Sequence, residues 1–154
     1  MSPIDSILGL PGLIVQQVKR AQDIHVWARP KRRPGCLYCP SPTVRIKATH
    51  RRTLKHTRQG NQLIVLHLAV PKYHCAQCNR YFRHRFAGIV PRRRATETYR
   101  LEVFEAHEGG VSQRKLSGTH QVGSATVERW YQSFVKQRVS QLSSRACPQV
   151  LGID

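Results

Sequence analysis

Acidic side chains are scarce in this chain of 154 residues, which has 8 Asp and Glu against 26 Lys and Arg and a net charge of +18. Between Asp23 and Glu97 there is no acidic residue at all. Such a surface repels itself unless a polyanion neutralises it, and phosphate backbones are the usual polyanion. The composition therefore favours a nucleic-acid partner over a basic face that is merely solvated.

The sequence also has no long apolar run and no recognisable signal peptide. The stretch Ile7 to Val15 is apolar, but Gly9, Pro11 and Gly12 interrupt it and it is too short to span a bilayer. The basic residues do not follow an amphipathic helix, which argues against an anionic membrane surface as the partner. These absences predict a cytoplasmic protein without a membrane partner.

Cysteines are few, but four of the 5 form two C-x₂-C pairs, Cys36 with Cys39 and Cys75 with Cys78. Each pair places two thiolates on one tight turn, and two pairs make the closed Cys₄ site of a structural zinc ion. The sequence therefore predicts one structural Zn²⁺ per chain. Disulfides, which need an oxidising compartment, and a redox C-x-x-C pair remain alternatives. Cys147 has no nearby partner and is interpreted as a spare thiol.

The segments around the cysteines have the alternation of β-strands. Two short strands are predicted between Leu13 and Arg29, a third near residues 44–48, and a fourth at Leu63–Val70 after a turn at Arg58–Asn61. Asn79 follows the second pair, where a left-handed residue is often required. The order is knuckle, hairpin, knuckle, which is that of a zinc ribbon. The residues between Asp23 and Glu97 are too polar to form a large core. Zinc would therefore supply much of the folding free energy, on the order of 10–16 kcal/mol.

The composition changes after residues 91–94, and three helices are predicted. Thr96 is the expected N-cap of the first, Gly109-Gly110 ends it, and Ser112 and Ser124 are expected to cap the next two. The connections are as tight as those of a helix-turn-helix. Residues expected to face inward are Leu116, Ser117, Val122, Val127 and Trp130. Gln121 stands where Gly is preferred for a left-handed turn, and His120 stands where an apolar residue is usual.

The fold class predicted from these elements is α+β, with a Cys₄ zinc ribbon of short β-strands followed by a three-helix helix-turn-helix domain. Residues 1–30 are an N-terminal segment with short strands, 31–91 the zinc ribbon, 92–140 the helix-turn-helix domain and 141–154 a tail. The candidate DNA-binding residues are Arg92, Arg93, Arg94, Gln113, Arg114, Ser124, Ala125, Glu128, Arg129 and Gln132. Of these, Arg129 and Ser124 are expected to read bases, and residues 92–94 to contact phosphates or a minor groove as a basic arm.

The order of parts resembles the N-terminal portion of insertion-sequence transposases of the ISL-three family. The resemblance rests on Ile7-Leu8-Gly9-Leu10, on Val-Pro-Lys-Tyr-His-Cys at residues 70–75, on the helix-turn-helix, and on Val-Leu-Gly-Ile-Asp at residues 150–154. In that family the Gly-Ile-Asp strand opens an RNase H-like catalytic domain, so the resemblance implies that Asp154 matches the first of three metal-binding carboxylates. With no further carboxylates to hold the metal ions, the chain is expected not to be an enzyme.

The resemblance implies a bacterial, nucleoid-associated protein that binds double-stranded DNA at the terminal inverted repeats of an insertion sequence. It would act as the recognition half of a transposase or as a truncated regulator of transposition, with a homodimer as a possible assembly and no small-molecule substrate. The alternative is a basic zinc ribbon associated with RNA or the ribosome. Proteins that bind single-stranded RNA need exposed aromatic rings on which bases stack. The candidates near the cysteines are Tyr38, Tyr73, Tyr81 and Phe82.

Overall fold

The computed structural model describes residues 8–143, which form five strands followed by three helices. The elements are β1 Leu13–Arg20, β2 Ile24–Pro30, β3 Arg45–Gln59, β4 Gln62–His74, β5 Tyr81–Arg83, α1 Glu97–Glu108, α2 Gln113–His120 and α3 Ser124–Ser143. The chain divides into two compact units between Tyr99 and Arg100. Their described parts are called the sheet unit, residues 8–99, and the helical unit, residues 100–143. None of the helices within residues 8–143 is long and apolar enough to cross a membrane.

The five strands form one mixed sheet in the order β1-β2-β4-β3, with β5 paired to β4. Strands β2 and β4 are parallel, and the other pairs are antiparallel. The predicted fold class is therefore wrong: β3 and β4 are 15 and 13 residues long, and they form a sheet with strands from the first 30 residues rather than a separate ribbon of short strands. The physical reason is that β4 is apolar enough to take a strand on each side.

The apolar core of the sheet unit lies on one face of the sheet, so the expectation of a region too polar for a large core is also wrong. Alternate residues of β2 and β4 meet in register, with Ile24 beside Ile64 and Val26 beside Leu66. The buried cluster consists of Leu8, Leu10, Leu13, Ile24, Val26, Ala28, Leu54, Ile64, Leu66, Leu68, Val70 and Ile89. A second cluster of Val44, Tyr73, Cys75 and Phe82 lies at the cysteine end of the sheet.

A buried polar network attaches the start of α1 to the sheet. His56 is 1% exposed, with Nε2 at 2.8 Å from the Leu8 carbonyl oxygen and Nδ1 at 2.9 Å from Thr96 Oγ1. A carbonyl only accepts, so Nε2 donates to it, and in the neutral ring Nδ1 accepts from the Thr96 hydroxyl. Thr96 Oγ1 also accepts from the Tyr99 amide at 3.3 Å, which confirms Thr96 as the N-cap. Both imidazole nitrogens of His56 are thus hydrogen-bonded within the core.

The sheet unit should lose stability in mild acid. Burial lowers the pKa of His56 below its usual value, while the hydrogen bond to the Leu8 carbonyl opposes this shift. The pKa of His56 is lower in the folded state than in the unfolded state. The stability that neutral His56 contributes is therefore fully present above the unfolded pKa of about 6.5 and is lost as the pH falls through the folded pKa. The loss is measured as the difference between the free energies of unfolding in urea at pH 8 and at pH 5. His56→Gln, which does not titrate, should show a smaller loss, and an equal loss in both proteins would contradict this account.

The helical unit begins within α1 and closes around aromatic side chains. Phe104 contacts the rings of Tyr131 and Phe134 on α3, at centroid distances of 5.5 and 5.0 Å. Leu116, Val122 and Val127 are buried as predicted. Ser117 and Trp130, which were also expected to face inward, are half-buried.

The two turns between the helices follow the sequence signals closely. The Ser112 side chain accepts from the Lys115 amide and caps α2, as predicted. Gln121 has φ of 51° and supplies the left-handed residue that ends α2. Helix α3 begins at Ser124 itself, and the Gly123 carbonyl accepts from the amides of Thr126 and Val127. The cap of α3 is thus one residue earlier than expected.

Candidate metal centre and basic surfaces

The two cysteine knuckles are closed by the same backbone hydrogen bond. The amide of Cys36 donates to the Ser41 carbonyl at 2.9 Å, and the amide of Cys75 donates to the Arg80 carbonyl at 3.0 Å. Asn79 has φ of 54°, which confirms the left-handed residue predicted after the second pair. Each turn therefore holds its two thiols toward the other knuckle.

The sulfur atoms of Cys36, Cys39, Cys75 and Cys78 all lie within 4.8 Å of one another, and the four cysteines are free thiols. The closest pairs join the two knuckles, with Cys36 to Cys78 and Cys39 to Cys75 both at 3.6 Å. Around a tetrahedral ion with metal–sulfur bonds of about 2.3 Å, neighbouring sulfurs are about 3.8 Å apart. A disulfide would need about 2.05 Å. The predicted convergence of the four cysteines, in an arrangement that could hold a metal ion, is thus confirmed.

Local hydrogen bonds prepare these sulfurs for a cation. The Cys78 amide donates to the Cys75 sulfur and is the main influence that lowers the pKa of this thiol to about 6, although burial opposes it. The amide of Tyr38 lies 3.4 Å from the Cys36 sulfur and donates to it. Burial raises the pKa of the Cys78 thiol. Against a hydrogen bond from the Ser41 backbone, burial and the neighbouring thiols raise the pKa of Cys39 to about 12. The amide donors therefore favour the metal-binding thiolate form at Cys75.

Side chains around the thiols hold the knuckles together without contributing ligands. The Arg80 guanidinium lies over the Tyr38 ring at 5.0 Å, so the second knuckle packs on the first through a cation–π contact. His74, although adjacent in sequence to Cys75, has Nε2 at 2.8 Å from Asn79 Oδ1. The site therefore offers four sulfurs in a closed arrangement, as in structural metal sites.

An open cleft of about 710 Å³ lies between the knuckle end of the sheet and the segment before α1. Its basic lining residues are His50, Arg52, Arg83, His84, Arg85 and Arg92, and Glu97 is the acidic one. Arg52 is fixed there, since its guanidinium donates to the carbonyls of Val90 and Arg93 at 3.1 and 2.6 Å. The exposed guanidiniums of Arg83 and Arg85 were not predicted as site residues, because their convergence depends on β5 pairing with β4.

The predicted basic arm is a fixed segment along the edge of β3. The Arg94 carbonyl accepts from the Lys55 amide at 2.9 Å, and the next bridge joins Lys55 to Ala95. All three arginine side chains are exposed, and Arg93 forms an exposed ion pair with Glu97 at 3.5 Å. The structure therefore presents Arg92, Arg93 and Arg94 as a preformed cationic edge.

The candidate residues of the helical unit divide into two groups. Ser124, Ala125 and Arg129 are exposed along one side of α3, and Arg114 is exposed on α2. The guanidinium of Arg129 donates to Thr126 Oγ1 at 3.1 Å, which directs it along the helix surface.

The other three candidates hydrogen-bond to one another. The Gln113 side-chain amide donates to one Glu128 oxygen, and Gln132 Nε2 donates to the other at 2.7 Å. Glu128 is therefore satisfied within the protein, and its carboxylate fixes α2 against α3. The structure brings Gln113, Glu128 and Gln132 together as a positioning row beside Arg129.

Sequence reasoning missed a cluster of rings on the face of the sheet opposite the core. His25 and Trp27 alternate with buried residues on β2, which the sequence shows. Their partner His67 comes from β4, and only the parallel register places it there.

No protein family, curated protein or solved structure matches the chain. The resemblance to ISL-three transposases, the DNA target and the oligomeric state therefore stay predictions. Asp154, Cys147 and the strand expected at residues 150–153 lie outside the described residues.

Proposed function

We propose that this protein binds double-stranded DNA in a sequence-specific manner and that a structural zinc ion holds the knuckle end of its sheet. The observation that carries the proposal is the basic surface of the sheet unit, whose interval between Asp23 and Glu97 contains Arg and Lys but no carboxylate. Duplex DNA carries one phosphate charge per about 1.7 Å of helix axis, a regular polyanion that such a surface can neutralise.

The zinc ion supports this function indirectly. Four sulfurs in a closed set fit Zn²⁺, which prefers tetrahedral thiolate coordination and leaves no open position for catalysis. Cys36, Cys39, Cys75 and Cys78 would hold the ion and thereby fix the ends of β3 and β4. The exposed arginines of the adjacent cleft then keep fixed positions relative to each other, as an array of phosphate contacts requires.

Base reading is assigned to the exposed side of α3. Ala125, Arg129, Gln132 and Lys136 follow one another at helical spacing on that side and are exposed. A helix of this diameter fits the major groove, where an arginine can contact the O6 and N7 atoms of guanine. The row formed by Gln113, Glu128 and Gln132 positions the two helices for this role.

The biological target is proposed from the resemblance. The chain would recognise the terminal inverted repeats of an insertion sequence, as the recognition half of a DDE transposase or as a regulator of transposition. Because transposition joins two DNA ends, this role is compatible with a dimer.

Arg129→Ala should weaken binding to the preferred duplex site by roughly 1–3 kcal/mol and change binding to random duplex much less. The reason is that Arg129 projects from α3 beside Ala125, where a base edge can be reached. Fluorescence anisotropy with both duplexes at one salt concentration measures the difference.

Lys136→Ala provides the matched control, since Lys136 is exposed about two turns further along α3. It should weaken both duplexes by a similar small amount, as the loss of a phosphate contact does. If Arg129→Ala behaves in the same way as Lys136→Ala, Arg129 does not read bases and the assignment of α3 is wrong.

A further inference from the structure

The face of the sheet opposite the core is polar and open, and we call it the open face. The strand register places these residues on it: Gln17, Lys19, His25, Trp27, Arg29, Thr49, Arg51, Thr53, Lys55, Val65, His67 and Ala69. Each of them is exposed or half-buried. The duplex-binding proposal gives no role to the rings on this face.

Three rings lie together at the centre of the open face. Trp27 and His67 are stacked with centroids 4.6 Å apart, and His67 stacks on His25 at 5.3 Å. His25 Nδ1 lies 3.0 Å from His67 Nε2, so one imidazole donates to the other and both rings are fixed. Thr53 Oγ1 lies 3.4 Å from His67 Nδ1 on the far side. The cluster is a rigid, half-buried aromatic platform rather than a set of mobile rings.

A rim of cations surrounds this platform. The Lys19 ammonium lies 5.7 Å from the centroid of the Trp27 ring. Arg29 and Arg51 are exposed on the same face, on the two strands that flank β4. None of the described strand residues on this face is acidic. Half-buried rings with a cationic rim match the chemistry of an unpaired nucleobase and its phosphate.

A duplex would not use this arrangement fully. Its bases are stacked on each other and present only their edges, whereas the platform offers ring faces. A merely structural role for the rings is also a poor fit, because the hydrophobic core lies on the other face and the rings do not enter it.

We propose that the open face binds single-stranded DNA, with bases stacked on the Trp27–His67–His25 platform and phosphates held by Lys19, Arg29 and Arg51. This inference rests on the proposed function only in taking DNA as the polyanion. It adds a second site, on a different face from the cleft and on a different unit from α3, for unpaired strands next to a bound duplex.

The test uses an oligo(dT) of about 12 nucleotides, an abasic oligomer of the same length and a duplex. Trp27→Leu should weaken oligo(dT) binding about tenfold and leave the duplex and abasic oligomers within about twofold. Tyr81→Leu is the matched control, since Tyr81 is a 51% exposed aromatic on the same unit but away from the open face. It should leave oligo(dT) binding unchanged.

A spectroscopic readout separates stacking from damage to the fold. In a Trp130→Phe background, Trp27 is the single remaining tryptophan. Its fluorescence should be quenched by oligo(dT) but not by the abasic oligomer, because quenching requires contact with a base. His67→Gln should reduce both the quenching and the affinity, which gives a second variant if Trp27→Leu does not fold.

Three outcomes would overturn the inference. The first is a failure of oligo(dT) to quench Trp27 fluorescence, the second is an equal weakening of the binding of all three ligands by Trp27→Leu, and the third is clearly tighter binding of oligo(U) than of oligo(dT) by the wild-type chain. The last result would assign the face to RNA. Arg129→Ala should leave oligo(dT) binding unchanged. A wild-type chain that binds oligo(dT) but shows no preference among duplexes would refute the proposed function alone. A wild-type chain that recognises a duplex site but does not bind oligo(dT) would refute this inference alone.

Discussion

Cys39→Ser should abolish zinc binding and disorder the knuckle end of the sheet while the rest of the sheet stays folded. The four sulfurs tie β3 to β4 beyond the small cluster of Val44, Tyr73 and Phe82, which is too limited to hold the knuckles alone. Structural zinc contributes on the order of 10–16 kcal/mol in small zinc domains, so this is the largest effect expected of one substitution. The main core around Leu66 is separate and should persist.

Metal analysis and amide NMR spectra together measure this result. The wild-type chain should contain one zinc ion, and Cys39→Ser should contain none. Amide signals from residues 36–44 and 73–82 should collapse in the variant, while those of residues 63–70 and of the helices remain. Cys147→Ser is the matched control and should keep its zinc. A wild-type chain without zinc, or intact knuckle signals in Cys39→Ser, would refute the structural role of the metal.

Affinity for duplex DNA should fall about a thousandfold between 50 and 200 mM salt, which is a slope of about −5 in log K against log salt. This slope corresponds to roughly six neutralised phosphates. The exposed Arg83, Arg85, Arg92, Arg93 and Arg94 can supply five of these contacts, and Lys136 on α3 can supply a sixth. A salt series of anisotropy titrations measures it. A slope near zero would mean that the basic surface is only solvated.

Replacement of Arg92, Arg93 and Arg94 by Ala should flatten that slope by about 2 to 3 and weaken binding on all sequences alike. Arg92 allows a cleaner comparison because its φ is 64°, a conformation that costs energy for any residue except glycine. Arg92→Gly thus removes the charge while it relieves the backbone. Weaker DNA binding without loss of stability in this variant would assign the effect to the charge. Unchanged binding in the triple variant would exclude this edge from the interface.

The sequence predicted those features that depend on a few neighbouring residues. The cysteine spacing defined the metal ligands, because a C-x₂-C turn fixes two thiols locally. Thr96 and Ser112 were identified as caps, since a cap bonds an amide only three residues away. The left-handed conformation of Gln121 followed from the tightness of the turn between α2 and α3.

Features that depend on distant pairing could not be predicted in this way. The parallel contact between β2 and β4 joins residues about 40 positions apart, and neither strand alone indicates which neighbour it takes. The core, the ring platform at His67 and the convergence of Arg52 with Arg83 all follow from such pairings. The fold-class prediction failed for this reason, since alternation shows that a segment is a strand but not which sheet it joins.

Selection of bound duplexes from a random pool tests the central claim of sequence-specific DNA binding most directly. The full chain, loaded with zinc, should enrich one motif over successive rounds, and the Arg129→Ala variant should lose the preference at one position of that motif while it still retains DNA. Recovery of a pool no different from the input would contradict the claim, because the basic surface would then bind phosphates without reading bases.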